Sequence, residues 1–114
     1  MKQMNLTYKV TPESIVKAVS KVSGFTVYEL KNEGHSHTLA QWRHLGIYIA
    51  RESGLTFVEA GKVFNRHFST ALTSYKKVSS SLEDQDVAQA LGKINKFLNK
   101  PDRDDGDQAV LQNG

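Results

Sequence analysis

Cysteine is absent from the chain, so no disulfide framework, thiolate metal site or cysteine nucleophile is available to it. Proline occurs only at Pro12 and Pro101, where it fits one helix start and one helix end. No apolar run is long enough to cross a bilayer, and residues 1–10, MKQMNLTYKV, lack the apolar centre of a secretory signal. A soluble cytoplasmic protein with no membrane partner is therefore expected. A Gly-x4-Gly-Lys-Ser/Thr phosphate loop, a nucleophile elbow and paired carboxylates in a recognisable frame are all missing. An enzyme is not expected, nor is any cofactor, a nucleotide included.

Charge of one sign is also scarce. Between positions 35 and 80 only Glu52 and Glu59 oppose six cations, Arg43, Arg51, Lys62, Arg66, Lys76 and Lys77, and all four histidines fall in the same interval. The acids collect at the end instead: residues 101–114 hold Asp102, Asp104, Asp105 and Asp107 against Arg103 alone, a local balance of −3 within a chain of net +3. Residues 1–100 thus carry +6, a balance that fits a polyanionic partner. The 114 residues contain no internal repeat and suffice for one core. The expected organisation is a flexible lead-in over 1–10, one helical domain over 11–100 and a disordered acidic tail over 101–114.

Helix signals follow in order. Thr11 caps a helix with Pro12 at its first position, and Ile15, Val16, Ala18, Val19 and Val22 form its apolar stripe up to Gly24. Thr26 and Glu29 are spaced as a capping box for a short helix ending near Lys31, with Tyr28 and Leu30 expected inward. Ser36 or Thr38 caps a long helix through Leu39, Trp42, Leu45, Ile49 and Ala50 to Ser53-Gly54, and Trp42 is expected in the core. A last helix, capped by Asp84 or Asp86, runs through Val87, Leu91, Ile94 and Leu98 to Pro101. The fold class is all-α, a compact bundle of about six helices.

The segment Thr56–Val78, TFVEAGKVFNRHFSTALTSYKKV, reads as two short helices around a tight turn. Thr56 and Glu59 make a second capping box, and Phe57, Ala60, Val63 and Phe64 recur at helical spacing, with Gly61 allowing close approach. After Asn65-Arg66-His67 a new apolar phase begins at Ala71, Tyr75, Val78 and Leu82. The opposite face carries Ser69, Thr70, Thr73, Lys76 and Lys77, short hydroxyls first and cations later, which suits a major groove. An ordinary amphipathic helix with a solvated face would show the same pattern.

With the helices placed, the run from Ser14 to Leu98 resembles the C-terminal DNA-binding domain of the bacterial replication initiator DnaA, of the Trp-repressor-like helix-turn-helix group. The resemblance is carried by SIVKAV…FTVYELK, WRHLGIYIARE, LTFVEAGKVF and NRHFSTALTSYKKV. Against the family signature Gly-Arg-Asp-His-Ser/Thr-Thr-Val, the residues Arg66, Ser69 and Thr70 match. His67 stands for the aspartate, Phe68 for the histidine and Ala71 for the valine, and one glycine before Arg66 is missing. The resemblance implies docking of the second helix in a major groove, with His67, Phe68, Ser69, Thr70 and Thr73 reading bases. His35, His37, Arg43, His44, Arg66, Lys76 and Lys77 are implied to meet phosphates or the minor groove, Gly34-His35-Ser36-His37 replacing an arginine-rich loop. Double-stranded DNA is the implied partner at the nucleoid, with a role in replication or transcription and a protein of that machinery as a second partner.

Two other readings compete. His35, His37, His44 and His67 would have to converge to hold a metal, and without cysteine or a nearby acid at ligand spacing no metal site is expected. Alternatively the helix-turn-helix scaffold serves as a protein-protein interaction module that has lost DNA binding, with Phe68 as an exposed apolar anchor.

Overall fold

The structure, a computed structural model, describes residues 10–32 and 36–99. Six α-helices make up the described part: α1 (Pro12–Ser23), α2 (Val27–Lys31), α3 (His37–Glu52), α4 (Phe57–Lys62), α5 (Phe68–Ser79) and α6 (Gln85–Leu98). No strand occurs among the described residues. None of the helices is long and apolar enough to cross a membrane.

Local chemistry sets nearly every boundary. Thr11, Thr26, Ser36, Thr56, His67 and Asp84 are the N-caps, each accepting a hydrogen bond from a backbone N–H in the first turn. In α2 and α4 the reciprocal Glu29 and Glu59 carboxylates return to the cap backbone N–H at 2.8 and 2.9 Å. Gly24 ends α1 at φ 85, in the left-handed region that glycine enters without strain.

The central helix is α3, which packs against each of the other five. Its inward residues Leu39, Leu45, Ile47, Ile49 and Ala50 join Ile15, Val16 and Val19 of α1, Leu30 of α2, Ala60 of α4, Val63, Phe64, Ala71, Val78, Ile94 and Leu98 in one core. Gly46 lets Phe64 pass: a Cβ there would lie within 3.0 Å of the Phe64 ring and of Val19. Phe64, just after α4, is therefore wedged against α3, which fixes where the following turn begins.

Several expectations change. Val10, expected in the lead-in over 1–10, is buried in the core. Residues 1–9 and 101–114, including the expected lead-in and acidic tail, lie outside the described residues. Tyr28 is 75% exposed rather than inward, because a five-residue helix has only one buried side and Leu30 occupies it. Leu82 falls beyond the end of α5 and is exposed, and the buried α5 positions are Ala71, Ser74 and Val78. Trp42 is half-buried and packs against the core.

Candidate nucleic-acid interface

Helices α4 and α5 meet through a short turn over Val63–His67. Asn65 has φ 59 and is the one non-glycine residue with positive φ among the described residues. Asparagine tolerates that conformation better than most side chains. It thereby supplies the left-handed step in the position before Arg66, where the signature has glycine. The Arg66 N–H donates to Gly61 O at 2.8 Å, closing the turn back onto α4. Gly61 is needed there: a Cβ would sit 2.6 Å from Arg66 O and 3.1 Å from His67 O, both backbone atoms.

Helix α5 then starts at His67, whose Nδ1 accepts from the Ser69 backbone N–H at 3.2 Å and lies 2.9 Å from Ser69 Oγ. A nitrogen that accepts from a backbone amide carries the lone pair, so the Ser69 hydroxyl donates to it and the ring proton sits on Nε2. Three contacts hold the other side of α5. Tyr75 stacks on Tyr48 with centroids 5.2 Å apart and meets Phe57 edge-on at 5.7 Å. Its hydroxyl donates to Glu52 Oε2 at 2.6 Å. That hydrogen bond, with burial and the negative charge, raises the phenol pKa and keeps the donor in place.

What faces solvent on α5 forms two parallel rows, because residues four apart lie one above another on a helix. Ser69, Thr73 and Lys77 make one row, and Phe68, Leu72 and Lys76 the other, all exposed, with Thr70 beside them. The Thr73 hydroxyl donates to Ser69 O at 3.1 Å, which leaves its oxygen lone pairs for accepting. Lys76 and Lys77 lie in the last turn, where the helix dipole also favours cations. Leu72 is the functional candidate that the sequence pattern does not reveal.

Two expected phosphate contacts are corrected. Arg43 is only 5% exposed, and its guanidinium faces inward. Its Nε donates to Leu30 O at 2.7 Å, and its Nη2 to Glu29 O at 2.9 Å and Asn32 O at 2.7 Å. It caps the C-terminal carbonyls of α2. Burial, and secondarily the charge of Arg66, lower its pKa. His44 is half-buried, with Nδ1 2.7 Å from the hydroxyl of buried Ser74. Its pKa is lowered, chiefly by burial and then by Lys77, Arg43 and His37, and its ring ties α3 to α5 through Ser74.

Arg66 is engaged as well, donating to Phe64 O at 2.8 Å and to Asn32 O at 2.6 Å. Asn65 Nδ2 reaches Lys31 O at 3.4 Å. The turn of the motif is thus roped to the end of α2. His37 is exposed at the first position of α3, and His35 lies outside the described residues. His37, His44 and Lys77 line a cleft of about 620 Å³ between α3, α5 and α6 together with Asp84 and Asp86. Those two acids offset the positive charge there, so the outer face of α5 is the better approach for a polyanion. No group of three or more metal-ligating side chains occurs among the described residues.

Comparison with known proteins agrees with this geometry. Residues 12–78, from the start of α1 through the end of the α5 core stripe, match the family described as bacterial dnaA protein helix-turn-helix. The match stops before α6, short of the Leu98 limit read from the sequence. The chain is 30% identical over 78 residues to chromosomal replication initiator protein DnaA 2 of Protochlamydia amoebophila, an alignment covering 68% of this chain and 17% of that protein. It is 27% identical over 95 residues to chromosomal replication initiator protein DnaA 1 of Chlamydia trachomatis, covering 79% and 21% respectively. A DnaA 2 protein of Chlamydia caviae is 29% identical over 93 residues. The chain spans about a fifth of the length of these relatives.

Proposed function

The chain belongs to the bacterial DnaA helix-turn-helix family, and we propose on that footing that it binds double-stranded DNA sequence-specifically, with α5 in the major groove. The observation that carries this reading is the outer face of α5. Across Phe68–Ser79 it presents Ser69, Thr70, Thr73, Lys76 and Lys77 to solvent and no acid at all. Hydroxyls at the leading end can reach base edges, while lysines in the last turn meet phosphates. His67 adds the Nε2–H donor that its capping role leaves over.

The biological role we infer is regulation of replication or transcription at the nucleoid, with a protein of that machinery as a further partner. These residues hold no phosphate-binding loop, so an ATP-driven step would have to come from elsewhere. His67 and Phe68 stand where the family signature has aspartate and histidine, and the target is accordingly different from the usual initiator box. His37 is the remaining described candidate from the loop for a backbone contact.

Selection of bound duplexes from a random pool tests the reading. One motif should be enriched, and Thr70→Ala should change the preferred sequence. Recovery of the pool unchanged, with equal affinity for scrambled duplexes, would leave only charge attraction and refute sequence-specific binding. A protein-docking role has one observation in its favour, the exposure of Phe68. It predicts no enriched duplex.

A further inference from the structure

Helix α5 turns two large apolar side chains to solvent, Phe68 at 49% and Leu72 at 36% exposure. They do not complete the core, since Ala71, Ser74 and Val78 already occupy the inward face. Four residues apart, they stand one above the other in the row that ends at Lys76. The Phe68 ring is held in place from behind: the His67 ring packs on it with centroids 4.6 Å apart, and His67 is itself fixed as the helix cap. An ordered apolar strip therefore runs beside the hydroxyl row Ser69–Thr73, and both rows end in a lysine.

We propose that Phe68 and Leu72 read thymine, packing on the 5-methyl groups that this base alone presents in the major groove. This inference rests on the DNA-binding reading above. Four residues rise about 6 Å along a helix, close to two steps of a duplex at about 3.4 Å per step. The pair can thus meet methyl groups within about two base steps of each other. The hydroxyl row beside it takes hydrogen bonds from neighbouring base edges, and Lys76 and Lys77 hold the flanking phosphates. The occupant is a DNA strand rather than an apolar partner surface because the strip is flanked by hydroxyls, ends at two lysines and lacks any acid on its helix. An isolated apolar patch would not call for that border.

Replacing thymidine by deoxyuridine deletes the methyl group and keeps the hydrogen-bonding pattern, so the probe is a duplex from the random-pool selection, remade with uracil one position at a time. Wild-type protein should bind the remade duplex about fourfold more weakly for each methyl in contact, the transfer value of one buried carbon. Phe68→Ala and Leu72→Ala should each lose the discrimination at one position, while thermal unfolding confirms that these exposed substitutions leave the fold intact. A scrambled duplex with the same substitutions should show no change. Equal wild-type affinity for the thymine and uracil duplexes, with the selected duplex still preferred over scrambled, would overturn methyl reading and leave DNA binding standing. Loss of any preference for the selected duplex would overturn both.

Discussion

Arg43 shows how a single side chain can be mistaken for a ligand contact. Its charge lies in a basic segment, yet two α2 carbonyls and that of the C-cap Asn32 receive its guanidinium. Removing it would take the donor from the buried Leu30 O and one partner from each of Glu29 O and Asn32 O, the latter still held by Arg66, a loss on the order of 1–3 kcal/mol. Arg43→Ala should therefore lower the unfolding midpoint in urea markedly, whereas Lys76→Ala should leave it within error and weaken binding to every duplex. Arg43→Lys should rescue little, since a point charge cannot serve the fork. An unfolding curve for Arg43→Ala superposable on wild type would return Arg43 to the surface. His44 makes a pH prediction. Its folded pKa lies below the ordinary value of 6.5 because burial, Lys77, Arg43 and His37 disfavour the cation. The folded chain thus binds fewer protons than the unfolded one, so this contribution to stability is complete above about 6.5 and is lost as pH falls through it toward the folded value. Urea unfolding at pH 7.5, 6.5 and 5.5 should show His44→Gln less sensitive to acid than wild type over that interval. Parallel slopes would mean that His44 is charged or solvated in the fold.

Helix ends are decided within three or four residues, and for that reason the elements were largely legible in the sequence. The boxes at Thr26/Glu29 and Thr56/Glu59, the Thr11-Pro12 start and the Asp84 cap all form as read. Tertiary placement was not legible. Arg43 reaches back 13 residues to Leu30 O, and His44 meets Ser74 across 30. No local pattern separates such inward polar side chains from solvated ones. Leu72 escaped for the converse reason: the Ala71, Tyr75 and Val78 stripe had already claimed the apolar side of α5. Two glycines give a contrast that belongs to the element scale. At Gly61 a Cβ would press on the backbone of the turn, so Gly61→Ala should destabilise by about 1–3 kcal/mol. At Gly92, inside α6, nothing lies within 4 Å of the added carbon, so Gly92→Ala should stabilise by about 0.5–1 kcal/mol through helix propensity. Thermal unfolding of the two variants checks both signs. Equal effects would mean that the α4–α5 turn relaxes freely and does not fix the angle at which α5 is presented.

Across the whole molecule, charge is segregated along the chain. Residues 1–100 carry +6 and residues 101–114 carry −3. A polyanion approaching α5 meets the sum of both fields whenever they lie within a Debye length, about 10 Å at 0.1 M salt. Deleting residues 101–114 raises the formal charge from +3 to +6, and should tighten DNA binding at low salt. The gain should shrink as salt rises, since counterion release and screening act on the same charges. Thermal unfolding should be unaffected, because α6 ends at Leu98, which is already packed in the core. Changing Asp102, Asp104, Asp105 and Asp107 together to asparagine keeps the chain length and removes the acids. If charge is the cause, this variant should match or exceed the truncation, since it retains Arg103. Affinity measured at about 50 and 300 mM salt for the three proteins separates the cases. Unchanged affinity at low salt in both variants would place the acids beyond reach of the bound duplex. Tighter binding on truncation alone would instead point to bulk at the groove. Only a gain shared by both variants and erased by salt supports a chain whose own acids compete with phosphates for its basic face.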